Sequence, residues 1–175
     1  LDDFNSFLND VKKQKIIAIV APAAVVTFRG KEKELNGFLK SIGVEAVFDV
    51  SFGAELTTKT YVEHIKNNNP KLMIAQPCPA IVSYCEIYKP DLLKYLAPCD
   101  SPMAHTMKMI KKYYRQYKNH KIAVISPCYA KKREYEDIRM GDYNISMKSL
   151  SDYFKNNKID LSSFKKVPYD NPEAE

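Results

Sequence analysis

Lys121-Ile122-Ala123-Val124-Ile125-Ser126-Pro127-Cys128-Tyr129-Ala130-Lys131-Lys132-Arg133-Glu134 changes its periodicity halfway, and that change decides the fold. Ile122 to Ile125 form a buried, β-branched run of strand length; Pro127 closes it, and the residues beyond Cys128 take on helical character. A strand that stops at a Pro-Cys pair ahead of a helix presents a thiol at its carboxyl end, where open α/β sheets build their sites. Gln76-Pro77-Cys78-Pro79 repeats the arrangement after the apolar run Lys71-Leu72-Met73-Ile74-Ala75. Pro79 suits the first position of a helix because the N–H that proline lacks would be unpaired there in any case.

Outward from these two turns, strands and helices alternate. Phe4, Phe7, Leu8 and Val11 recur at helical spacing over residues 3–13, and Ile16 to Ala21 is a strand closed by Pro22. Leu35, Phe38, Leu39 and Ile42 predict a helix from Glu32 to Ile42, with Gly43 at the left-handed position past its end. Val44 to Val50 reads as a second strand. Residues 53–67 form a crossover helix with Leu56, Tyr61, Val62 and Ile65 inward, stopped by three asparagines and Pro70. Lys71 to Ala75 is a third strand, and a helix from Pro79 runs through Cys85 and Ile87 until Pro90 ends it. Ser101 and Pro102 predict the N-cap and first turn of a long helix reaching about Tyr117. The fourth strand is Ile122 to Ile125; Asp142 to Ser146 is a short extended piece, and Ser149 to Asn156 a short helix capped by serine. Near-continuous apolar strands separated by helices predict an α/β fold, a parallel sheet covered by helices on both faces, as one domain in one or two lobes.

Composition narrows the function classes. The 175 residues are 45% hydrophobic and 27% charged, ordinary for a globular domain large enough to bury a core. No apolar stretch reaches the roughly 18 residues that span a bilayer. The acidic start, Leu1-Asp2-Asp3-Phe4, lacks the features of a secretory signal, so a cytoplasmic setting with reduced thiols is expected. The net charge of +6 includes a dense run at Lys108, Lys111, Lys112, Arg115, Lys118 and Lys121, which reads as a solvated helix face. Without an aromatic-plus-basic platform it does not indicate a nucleic-acid partner.

Four cysteines, Cys78, Cys85, Cys99 and Cys128, carry the remaining chemistry. Cysteine is among the most buried residue types, so each alone would read as a small core residue. Cys85 falls on the inward face of its helix and is assigned to packing; Cys99 sits in a turn and leans the same way. Cys78 and Cys128 differ, because proline-stiffened turns and a following helix's positive end favour a thiolate, the ligand of iron in clusters held by four cysteines. The two look like half such a set. His64, His105 and His120 lack zinc-site spacing, His105 reading as a surface or packing residue, and no phosphate loop or nucleophile elbow is present.

Around these turns the chain resembles the catalytic C-terminal domain of iron-only (FeFe) hydrogenase large subunits. The resemblance rests on Ile19-Val20-Ala21-Pro22, Phe48-Asp49-Val50-Ser51-Phe52-Gly53-Ala54-Glu55, Tyr88-Lys89-Pro90-Asp91-Leu92-Leu93, Cys99-Asp100-Ser101-Pro102-Met103 and Pro127-Cys128-Tyr129-Ala130-Lys131-Lys132-Arg133-Glu134, in family order. It implies that Cys78 and Cys128 are metal ligands of the four-iron, four-sulfur part of the H-cluster. It further implies that Lys131 donates to a cyanide of the diiron subcluster, that Glu134 orients Lys131, and that Pro22, Ala23 and Ser101 belong to the cofactor-binding surroundings.

Two departures temper that expectation. Pro77 stands where the family has the cysteine that relays protons to the diiron bridge, and proline carries no titratable proton. Glu55 and Glu63 do not match the family's relay glutamates convincingly. The third family motif, with two further cluster cysteines, would lie beyond Glu175, so the chain reads as a partial domain, residues 1–175 of a longer protein, and as metal-free when expressed alone. The reading is a divergent, sensing or slow hydrogenase-type domain, whose intact parent interconverts protons, electrons and hydrogen or senses hydrogen; the alternative is a non-catalytic iron–sulfur sensor or assembly module. A ferredoxin-like electron donor, an attached signalling domain and maturation proteins are the partners this implies.

Overall fold

The computed structural model describes residues 2–75 and 78–171. Four parallel strands form one sheet in the order β2-β1-β3-β4, where β1 is Ile16–Val20, β2 Val47–Asp49, β3 Lys121–Ser126 and β4 Tyr143–Ser146. Every residue of β1 is buried, as is β3 from Ile122 onward, which is the burial that continuous apolar runs require. The order steps one way from β1 to β2 and the other way from β1 to β3. A crevice therefore opens between the carboxyl ends of β1 and β3.

The helices are α1 (Phe4–Asp10), α2 (Ala24–Thr27), α3 (Glu32–Ile42), α4 (Ser51–Asn68), α5 (Pro79–Tyr88), α6 (Pro102–Tyr113), α7 (Lys131–Ile138) and α8 (Met147–Asn156). Helix α3 turns Leu35, Phe38 and Leu39 inward, each worth about 1.5–3 kcal/mol of transfer free energy. It ends at Gly43, whose φ of 117° is open to glycine at no cost. Helix α6 begins as expected: Ser101 Oγ accepts the Ala104 N–H at 3.2 Å and Pro102 opens the first turn. Helices α4 and α6 meet backbone to backbone at Gly53, where a Cβ would lie 2.1 Å from the Pro102 carbonyl oxygen and 2.3 Å from Thr106 Oγ1. Thr57 Oγ1 fastens the crossing by donating toward the carbonyls of Gly53 and Asp100.

Both outer edges of the sheet are capped by side chains. On β2, the Asp170 carboxylate accepts the Val47 N–H and the Asn171 carboxamide accepts the Asp49 N–H while donating to the Asp49 carbonyl. On β4, Asp3 accepts the Asn144 N–H and Asp2 the Ser146 N–H. The capping residues thus reproduce part of a strand's hydrogen bonding without being strands.

The structure corrects several sequence expectations. Lys71 to Ala75 forms no strand of the sheet; Ile74 makes one isolated parallel bridge to Leu96, and Leu72 is half exposed. A five-residue apolar run has no period long enough to fix its partner. The fourth strand is instead Tyr143–Ser146, anticipated only as a short extended piece. Helix α4 buries Gly53 and Thr57 rather than Val62 and Ile65, both nearly half exposed, because close approach to α6 selects small residues. Helix α8 starts after Ser146, whose Oγ accepts the Ser149 N–H, so the serine cap lies three residues earlier than expected. Helix α6 stops at Tyr113, with a separate 3₁₀ turn at Arg115–Tyr117.

Candidate functional site

At the sheet's crevice, the Ala21 N–H donates to the Ile125 carbonyl, so the loop after β1 and the turn after β3 leave the sheet side by side. Pro22 and Ala23 lie on the first, with Ala23 leading directly into α2. Cys128 lies on the second, its N–H donating to Ser126 Oγ at 3.2 Å, and its thiol is half-buried and free. Cys78 occupies the N-cap position of α5 in extended conformation, also half-buried and free, with Pro79 at the first helical position.

Helix α7 joins the two turns. Arg133 grips α5 with a bidentate pair to Glu86, 2.8 Å on each nitrogen, and a 2.5 Å bond to Ser83 Oγ. A cavity of about 220 Å³ lies between Pro79 and Val82 of α5, the Cys99–Ser101 turn, and Glu134 and Asp137 of α7. Ser101 is buried at its rim as the cap of α6. Lys131 and Glu134 form a 2.7 Å ion pair with side chains only 9% and 15% exposed. A lysine and a glutamate this deeply placed are seldom left to surface chance.

Burial pushes the Cys99 thiol up, and the Asp100 charge adds to it, which disfavours a thiolate there. Tyr135 is held protonated by burial first, then by the nearby charges of Glu134 and Cys128; its hydroxyl donates to Met103 Sδ. Cys85 is buried among helix contacts, as its spacing predicts.

The chain matches, over residues 14–175, the family described as iron only hydrogenase large subunit, C-terminal domain. It belongs to that family. The iron-hydrogenase-like domain is 29% identical over 160 residues to the nuclear prelamin A recognition factor of Mus musculus, covering 75% of this chain and 35% of that protein. It is 28% identical over 109 residues to the cytosolic Fe-S cluster assembly factor NAR1 of Encephalitozoon cuniculi, covering 61% and 28% respectively. Among solved structures, an apo form of the FeFe-hydrogenase HydA1 of Chlamydomonas reinhardtii shares the fold, with a TM-score of 0.82 at 24% identity. It covers 98% of this chain, and a further FeFe-hydrogenase, HydA(deltaEFG), gives a TM-score of 0.78 at 26% identity with the same coverage. The chain spans about a third of the length of these curated relatives and about half that of the solved hydrogenases.

Within this hydrogenase-family domain, the residues singled out from sequence divide into three groups. Cys128, Lys131 and Glu134 share one turn-helix unit, whose helix is tied to α5 at Ser83 and Glu86, and Glu134 and Ser101 line one cavity. Pro22 and Ala23 sit next to that unit at the switch point, and Pro22 also borders a separate cleft along α4 where Glu55 has a carboxylate oxygen buried without a partner among the described residues. Pro77 lies outside the described residues. Sequence reasoning missed Arg133 as the α5–α7 tie, because its partners Ser83 and Glu86 are 50 and 47 residues away.

The donor chemistry tests the cluster implied by the family. Two free thiols on stiff turns are suitable ligands, but among the described residues no group of three or more His, Cys, Asp or Glu stands close enough to hold a metal ion. By chemistry alone, two cysteine thiols are of the ligand type that iron–sulfur clusters use. No helix among the described residues is long and apolar enough to cross a membrane.

Proposed function

We propose that this domain is the half of a hydrogenase-like iron–sulfur protein that supplies two cluster ligands, and that its role is to hold a cluster for assembly or sensing rather than to turn over hydrogen. The observation that carries the reading is the donor set: Cys78 and Cys128 are free thiols on turns joined through α5 and α7, while Pro77 occupies the position where the resemblance places a proton-relaying cysteine. The likeness to a protein named as a cytosolic Fe-S cluster assembly factor supports it, and with it a cytosolic setting. A bound four-iron, four-sulfur cluster would supply one-electron storage, its other two thiolates coming from outside these residues. Buried Lys131, held by Glu134 and three residues beyond Cys128, would compensate the charge of a negatively charged cluster. Ser101 and Arg133 would keep α5, α6 and α7 in register around it.

A diiron subcluster would give the same site hydrogen chemistry, with a ferredoxin-like electron donor, and the family match favours keeping this as the second reading. One experiment separates them. The full-length gene product is reconstituted anaerobically with iron and sulfide, and iron is counted in the parent and in Cys78→Ser, Cys128→Ser and Cys85→Ser variants. Iron is expected to fall by half or more in the first two and to stay level in the third. Retention of iron by Cys78→Ser and Cys128→Ser would refute the ligand assignment; rapid hydrogen evolution from a reduced viologen by the matured parent would favour catalysis over holding.

A further inference from the structure

Away from the cysteine turns, α4 and α6 separate to form a groove of about 580 Å³, within the range of small-molecule sites. The two helices are locked at Gly53 and Thr57, where no side chain fits between them, and large side chains beside that crossing prop the groove open. Phe52 and Leu56, one turn apart on α4, form one wall; Met109 and Tyr113 on α6, with Tyr114 just past its end, form the other. None of these residues takes part in the site already described.

Two polar features distinguish this groove from a bare apolar face. His105 lines it, and its Nε2 is buried without a hydrogen-bond partner among the described residues. An unpaired polar atom in such a place costs about 1–3 kcal/mol unless something pairs with it. Burial lowers the imidazole pKa, opposed by Asp100 and assisted by Lys108, which favours the neutral ring, with an N–H to donate and a lone pair to accept with. At the rim stand two lysines. Lys108 is spent on Asp100, but Lys112 has no acidic partner among the described residues and lies 5.1 Å over the Tyr113 ring.

We propose that this groove binds a small amphipathic anion, a flat aromatic or apolar body between Phe52, Leu56 and Met109 with its carboxylate or sulfonate against Lys112 and its polar edge on His105. Shape and charge both select this class: the walls reward apolar area, and the one uncommitted charge is cationic on a chain of net charge +6. A cation is disfavoured by both lysines, and a neutral hydrocarbon would leave His105 Nε2 as it is. The site stands independently of any cluster bound at the cysteine turns.

The test titrates the full-length protein with 2-naphthoate and with its uncharged counterpart 2-naphthalenemethanol. The acid is expected to bind about fivefold more tightly, as one partly exposed ion pair would give, and to shift the Met109 methyl resonance. Exposed Lys112→Glu should abolish that preference at unchanged melting temperature, and Leu56→Arg should block both probes, its fold verified by the same melting curve. Equal affinity for the two probes, preference surviving Lys112→Glu, or no binding to the full-length protein would each overturn the proposal.

Discussion

Glu134→Leu is the sharpest perturbation of the candidate site. The Lys131 ammonium and Glu134 carboxylate are 2.7 Å apart with only 9% and 15% of their side chains exposed. At an effective dielectric near 20 their attraction is roughly 6 kcal/mol, set against a desolvation cost of several kcal/mol for each ion. The pair contributes little net stability over two well-packed apolar side chains, but losing Glu134 takes from a buried ammonium the counter-charge 2.7 Å away. Complete burial would make that loss about 3–5 kcal/mol; the residual exposure reduces it to about 2–3 kcal/mol. For a chain of this length this lowers the melting temperature by roughly 5–10 °C. The double variant Lys131→Met/Glu134→Leu should recover to within about 1 kcal/mol of the parent, which urea unfolding of all four proteins would measure as a coupling energy. A single-variant cost under about 0.5 kcal/mol, as for a surface pair, would refute the buried-pair reasoning, and so would a double variant as unstable as the two single losses added together.

Gly53→Ala should destabilise by about 1–3 kcal/mol or more, since its Cβ would fall 2.1 Å from the Pro102 carbonyl oxygen and force α4 from α6; an unchanged thermal midpoint would show that the crossing is looser than described. Acidification gives a second reading. Burial raises the Asp3 carboxyl, but Lys132 and the Asn144 N–H outweigh it and hold it below the ordinary range, while Asp2 is lowered against burial by Ser146, Ser149 and the Phe4 N–H. Carboxyls with depressed folded-state pKa values contribute stability that is present above about pH 4 and lost as pH falls through the folded value. The variant Asp2→Asn/Asp3→Asn should therefore be less stable than the parent at pH 6, with the gap narrowing as pH falls below about 4 in denaturant titrations.

The parts of the molecule legible in the sequence were those with local signals. Ile16 to Ala21 and Ile122 to Ile125 are long enough and β-branched enough to be central strands, and the Ser101-Pro102 cap and Gly43 stop work within one turn of chain. The Lys131–Glu134 contact follows from one-turn helical spacing. What escaped was set by distant partners. Lys71 to Ala75 had strand composition but, among the described residues, only the Ile74–Leu96 bridge as pairing, and the inward face of α4 was fixed by the approach of α6 at Gly53, which hydrophobic periodicity does not record. Arg133 belonged to the same class: a basic residue in a charged helix, with nothing nearby to mark Glu86 as its counterpart.

The capped edges of the sheet have a consequence for how this domain can associate. β2 and β4 offer their outward groups to Asp170 and Asn171 on one side and to Asp2 and Asp3 on the other, so a visiting strand from either direction would first have to displace carboxylates already engaged. Growth of the sheet by a neighbour's strand is blocked at both borders. Replacing Asp170 and Asn171 by alanine would uncover the β2 border to a visiting strand.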